Sequence, residues 1–208
     1  MRVLAAFVAA LASVTCMASA ASAQTPSEDP DAPSAIAWRW RRHHPVDYVA
    51  TGVFAATALV TEVVPERDQP RWLAGNDFDD AVMEAFGLND HDDRQIAARF
   101  SDVTLTALVT HRIVVDAMLV AWVGHGDGDT AWQLAALDAQ AMMFTLAATG
   151  GAKRAFERER PSSRSCRTEI GYDQRCTEQS RDGSFFSGHT SLAFTAATLT
   201  CTHHLQLP

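Results

Sequence analysis

Three places in this sequence carry side chains that could bind a phosphate and protonate its leaving group: Lys153, the Arg160-Pro161 pair, and Ser187-Gly188-His189. Lysine and arginine donate hydrogen bonds to anionic oxygens and accept none. A serine hydroxyl adds a donor, and glycine lets backbone N–H groups come close to a ligand. Histidine has an ordinary pKa near working pH, so it can hand a proton to a departing alkoxide. Singly these signals are weak, and a Ser-Gly-His tripeptide alone is more often a turn than a site. Their order is more specific: Lys, six residues, Arg-Pro, a loop, then Ser-Gly-His opening an apolar helix.

Such a site needs elements to position it. The sequence predicts a helix over Thr130 to Glu159, with Gly150-Gly151 bending it or allowing a close helix crossing. Lys153 and Arg160, two turns apart, would then leave one face about 10.5 Å apart along the axis. Pro161 is expected to end that helix, and Pro161 to Asp182 reads as a loop. Arg154, Glu157, Arg158 and Glu159 read as ordinary surface charges. A further helix is expected from about Thr190 to Leu205. The Ser187-Gly188-His189 segment falls at its N-terminus, where unpaired N–H groups and the positive dipole end favour an anion.

At these residues the chain resembles the type 2 phosphatidic acid phosphatases, whose superfamily includes bacterial non-specific acid phosphatases and vanadium haloperoxidases. Lys153-x6-Arg160-Pro161 matches the first motif of that family in full, and Phe186-Ser187-Gly188-His189-Thr190 is similar to the second, with Phe186 where proline is usual. The resemblance spans only Lys153 to Thr190. It implies an α-helical bundle and metal-free phosphate ester hydrolysis through a phosphohistidine, with no cofactor. Lys153, Arg160, Ser187 and the Gly188 N–H would bind the phosphoryl oxygens, and His189 would be the general acid. The family's third motif, Ser-Arg-x5-His-x3-Asp, carries the attacking histidine, and no such pattern occurs in these 208 residues. His203 and His204 stand one helix length from His189, about 21 Å by helical rise, too far to replace it. The attacking histidine is therefore expected beyond Pro208, in a chain truncated at its C-terminus.

The rest of the sequence bounds this reading. Seventeen basic against 25 acidic residues give a net charge of -8, which argues against a nucleic-acid partner. Residues 1–23 read as a signal peptide: Arg2, an apolar run from Val3 to Val14, and Ala21-Ser22-Ala23 before Gln24. Residues 24–37 read as a disordered, Pro- and Asp-rich leader, and 38–208 as one helical domain. Export to the cell envelope makes a Cys166–Cys176 disulfide the expectation, with two free thiols as the alternative. Cys201 reads as a small buried hydrophobe.

The segment Trp38 to His44 (WRWRRHH) suits either an anionic membrane surface or a solvated lead-in to a helix. Helices are predicted over Val46 to Val64, Phe78 to Leu88 and Asp92 to Val123, with a turn over Gly124 to Asp129. Arg112 and Asp116 are spaced to pair on one helix face. Asp77, Asp79, Asp80 and the Asn89-to-Asp93 cluster read as solvated helix ends. No period-two β pattern occurs, so the fold class is all-α, a helical bundle open to membrane embedding. The expected partner is a phosphorylated lipid at a membrane or a small phosphate ester. A soluble exported acid phosphatase and a vanadate-using haloperoxidase remain alternatives. So does a non-enzymatic phosphate- or lipid-binding envelope protein if the chain ends at Pro208.

Overall fold

The computed structural model describes residues 38, 40–64, 71–72, 77–88, 90–168, 172 and 187–206. The expected signal peptide and leader, Cys176 and Phe186 lie outside them. Among the described residues there are helices and no strand: α1 (Pro45–Val63), α2 (Asp77–Phe86), α3 (His91–Thr110, continuing over His111–Gly124), α4 (Gly128–Phe156), α5 (Pro161–Thr168) and α6 (Gly188–Gln206).

Local sequence explains most helix ends. Pro45 supplies the fixed φ suited to the first position of α1, and the Asp47 carboxylate accepts from His44 N at 2.7 Å. Val64, held extended ahead of Pro65, closes that helix. Asp90 caps α3 by accepting from Asp92 N at 2.8 Å. Asp127 caps α4, accepting from Thr130 N at 2.9 Å and from the Thr130 hydroxyl at 2.6 Å. Gly126, at φ 65°, makes the left-handed turn between α3 and α4.

From His111 to Gly124, α3 widens to i→i−5 hydrogen bonding, still visible where His125 N donates to Val120 O at 3.1 Å. A π segment of this length is unusual, since most are single turns. Its buried residues, Arg112, Asp116, Ala117 and Ala121, recur every four to five positions along one inner stripe.

Helix α4 is the axis of the bundle. It runs parallel to α1: Gln140 Nε2 donates to Asp47 O at 3.2 Å, the Phe54 and Phe144 rings are 5.3 Å apart, and Arg154 donates to Thr61 O. Against α6 it is antiparallel, with Asp138 beside His203 and Thr145 hydrogen-bonded to Thr195 at 2.9 Å. It is antiparallel to α3 as well, with Arg112 meeting Asp138. The core between α3 and α4 is built of small residues, Ala117, Ala121 and Ala131 around Leu134, covered by Trp38. Small side chains let these backbones approach closely. Gly150 shows the same economy of space: a Cβ there would collide with Thr61 Oγ1 and lie 3.0 Å from Thr61 Cβ. Gly150 therefore serves a close crossing of α1, while Gly151 faces open space.

Several expectations need correction. Helix α4 stops at Phe156 because Glu157 adopts left-handed φ 43°, ψ 46°, with its N–H on Lys153 O. A short stretch bridged to Trp72 follows. Pro161 opens α5 instead of ending a helix, so 161–168 is helical and not loop. Arg154, Glu157, Arg158 and Glu159 are not ordinary surface charges. Arg154 donates to Thr61 O at 2.9 Å and to Val64 O, closing the carbonyl end of α1. Glu157 pairs with Arg71 at 2.8 Å, Arg158 holds Asp79 at 2.5 Å, and Glu159 is fully buried. Asp79 is accordingly buried, not a solvated helix end.

The Trp38-to-His44 segment leads into α1 with Arg41, Arg42 and His44 exposed, as the solvated lead-in reading expected, while Trp38 and Trp40 turn toward the bundle. Trp38 lies on the alanine core, and the Trp40 ring stacks obliquely 5.5 Å from the His203 ring. Arg41 and Arg42 each hold a carboxylate of the protein itself, Asp47 and Asp129, both at 2.7 Å. The segment is a strap along the bundle.

Two helices, Pro45–Val63 and His91–Gly124, are long and apolar enough to cross a membrane. Much of their apolar surface faces outward: Val49, Val53, Leu59 and Val60 on α1, Val103, Leu119 and Trp122 on α3.

Candidate functional site

The motif residues Ser187, Gly188 and His189 stand at the start of α6, and Lys153 reaches it from α4. Ser187 is its cap: the hydroxyl oxygen accepts from Thr190 N at 3.3 Å and the carbonyl from Ser191 N at 2.9 Å. Capping uses the oxygen as acceptor and leaves the hydroxyl hydrogen available to a ligand. Gly188 follows as the first helical residue. Because α4 and α6 are antiparallel, the C-terminal turn of α4 arrives here, and Lys153 Nζ lies 3.9 Å from where a Cβ on Gly188 would stand. A Cβ at 188 would stand in ordinary van der Waals contact with the ammonium group, which places Lys153 at the helix start. Lys153 is half-buried and has no carboxylate partner among the described residues. A cation, a hydroxyl and the N–H end of a helix thus share one location, each of them a donor suited to phosphate oxygens.

Arg160 arrives differently from the expectation. The left-handed turn at Glu157 takes it off the axis of α4, so Lys153 and Arg160 do not share a helix face. Arg160 is half-buried at the head of α5, where its carbonyl accepts from Ser163 N at 2.9 Å. Among the described residues no hydrogen bond or ion pair joins its side chain to the other motif residues. Cys166 is half-buried on α5, and the Cys166–Cys176 pairing falls outside the described residues through Cys176. Cys201 is half-buried on α6, more open than expected.

His189 projects from the second position of α6 with its side chain 53% exposed, and its Nε2 lies 2.8 Å from Asp102 Oδ1 on α3. Sequence reasoning missed Asp102. The available signal was a carboxylate set at the edge of a long apolar stretch, where charge is costly. Nothing in the sequence connects it to a histidine 87 residues later.

A second polar group lies at the far end of α6. Arg112, 0% exposed, is held by Asp116 at 2.5 Å, as the spacing predicted, and by both Asp138 oxygens at 2.8 Å. His203 Nδ1 also touches the guanidinium. Outside them, His204 and His111 approach Asp116 at 3.5 and 3.7 Å. Burial raises the Asp138 carboxyl to about 6 although Arg112 opposes it. Burial, helped by the Arg112 and His204 charges, lowers His203 to about 4. Charges buried this way hold helices in register more than they stabilise them, because desolvation consumes most of the attraction.

No family model, curated protein or solved structure matches this chain.

Proposed function

We propose that the start of α6 with Lys153 is the phosphoryl site of a metal-independent phosphatase of the type 2 phosphatidic acid phosphatase kind, a helical bundle acting in the cell envelope. Its substrate is a phosphate monoester or pyrophosphate, carried on a lipid. The observation that carries this reading is the Lys153 ammonium lying against Gly188 at the open N–H end of a helix capped by Ser187. In it, Lys153, the Ser187 hydroxyl and the Gly188 N–H neutralise charge on the phosphoryl oxygens, with Arg160 as a further donor from the head of α5. His189 gives its proton to the leaving oxygen. A second histidine attacks phosphorus in line and carries the phosphoryl group before water releases it.

The lipid substrate is supported by the outward apolar faces of α1 and α3, both long enough to cross a bilayer. In a membrane, charged groups turn toward the bundle interior or a wet cavity, and Arg112 and Asp116 do so here. The test is hydrolysis of a phosphate monoester by the full gene product with EDTA present. His189→Ala is expected to lower kcat by about 10²–10⁴, the range for a positioned general acid. Lys153→Ala is expected to lower kcat/KM by about 10²–10³. Turnover unchanged in His189→Ala would overturn the assignment of the acid.

A further inference from the structure

We infer that Asp102 positions His189: it accepts the Nε2–H of the ring in its proton-donating imidazolium form, so that Nδ1–H is the donor presented to the phosphoryl site. The inference rests on the phosphatase reading above for its chemical meaning, and on geometry for its existence.

Three observations carry it. The contact itself is a hydrogen bond of 2.8 Å between helices far apart in sequence, His189 Nε2 to Asp102 Oδ1. The hydrogen bond made by one imidazole nitrogen decides which nitrogen holds the proton, and therefore which one is left for chemistry. Second, Asp102 is the last charged residue of α3 before its apolar run begins at Val103, which sets it level with the start of α6. His189 is the partner it meets. Third, the register that brings them together is fixed elsewhere. Helices α3 and α6 run parallel, and a second contact, His204 Nε2 to Asp116 Oδ1 at 3.5 Å, lies at the other end of the same pair. Beside it, His203 and Asp116 are both tied to Arg112. From Asp102 to Asp116 is 116 − 102 = 14 residues, and from His189 to His204 is 204 − 189 = 15, so the two contacts keep nearly the same spacing on both helices. Sliding α6 by one turn against α3 would break both ends at once.

The site also explains why this histidine needs an orienting residue. His189 is 53% exposed and Asp102 62%, so no packed wall locks the ring. A carboxylate on the facing helix supplies the constraint that burial would supply in a closed site. Asp102 touches no phosphoryl oxygen in this scheme and acts only through His189.

The experiment uses the whole chain in detergent micelles with 15N-labelled histidine. Wild type is expected to show a His189 Nε2–H proton protected from exchange with water, lost in Asp102→Ala and retained in Asp102→Glu. Inorganic phosphate is expected to shift the His189 Nδ1 resonance in wild type and to shift it several-fold less in Asp102→Ala. In the full gene product, Asp102→Ala is expected to lower kcat for a phosphate monoester by roughly 10–100-fold, part of what a placed general acid supplies. KM should stay within a factor of about two, and glutamate should recover part of kcat. An Nε2–H signal that survives Asp102→Ala overturns the inference whatever the activity. A signal that depends on Asp102, with no response of His189 to phosphate, leaves only a structural pair and also overturns it. If His189 responds to phosphate through Asp102 but no ester is hydrolysed, the positioning stands and the phosphatase reading fails.

Discussion

At the scale of single residues, the molecule separates two kinds of charged group along α6. Near its start the charges are accessible: Lys153 half-buried without a carboxylate partner among the described residues, His189 and Asp102 exposed. Near its end Arg112, Asp138 and His203 are buried together. The buried pair of titrating groups has a linkage that can be worked out by sign. Asp138, raised to about 6 from 3.8, keeps a proton in the folded state that the unfolded chain releases, so alone it makes stability fall as pH rises through that window. His203, lowered to about 4 from 6.5, is neutral in the folded state while the unfolded chain binds a proton, so alone it makes stability fall as pH drops. Between about pH 4 and 6 the two effects oppose and nearly cancel. Denaturant titrations of the variants should uncover each half. His203→Gln is expected to lose stability as pH rises across this window, and Asp138→Asn to lose it as pH falls, each by at most ~1.4 kcal/mol per pH unit. Variants whose stability slopes the same way as pH changes would show that the two groups are not shifted in opposite directions.

At the scale of elements, close approach decides more than composition does. Gly150 and Gly151 are adjacent and identical in type, yet only Gly150 faces Thr61 across the α1–α4 contact, while Gly151 has open space. Gly150→Ala is expected to destabilise the protein by about 1–3 kcal/mol through overpacking. Gly151→Ala is expected to stabilise it by up to ~1 kcal/mol, because alanine restricts the unfolded chain and favours helix. Thermal unfolding of the two variants side by side measures the difference, and equal effects would refute the close crossing. The start of α4 offers a second test. Hydrogen bonds from the Thr130 side chain, then its N–H, hold the Asp127 carboxyl below its ordinary value of 3.8. Its capping contribution is thus full above that pH and lost as pH falls through the lowered value. Asp127→Ala is expected to cost about 1 kcal/mol at neutral pH, and less in strong acid where the cap is already protonated.

At the scale of the whole molecule, the bundle buries Arg112, Asp116 and Asp138 and leaves much of the apolar surface of two long helices exposed. This distribution is what the proposed membrane setting would call for. On this reading the chain is expected to enter the detergent phase on temperature-induced separation and to leave membranes only with detergent, not with high salt. Recovery in the aqueous phase would overturn the membrane reading without touching the phosphate site. The basic strap at Trp38 to His44 is not expected to confer a preference for anionic lipid, because Arg41 and Arg42 are satisfied by Asp47 and Asp129. Vesicle binding compared with and without anionic lipid measures that.

The sequence by itself determined the all-helical class, most helix boundaries to within two residues or so, and the Arg112–Asp116 pair, because caps, prolines and i,i+4 spacing are local. It also marked Ser187, Gly188 and His189 as a helix start, which the described residues bear out. It misplaced Arg160, since a left-handed Glu157 cannot be read from a run of good helix formers. It misread Arg154, Arg158 and Asp79 as surface charges, because their partners come from other helices. Above all, it left His189 alone. Only the parallel packing of α3 and α6 brings Asp102 to its ring, and a contact 87 residues apart has no periodicity to announce it.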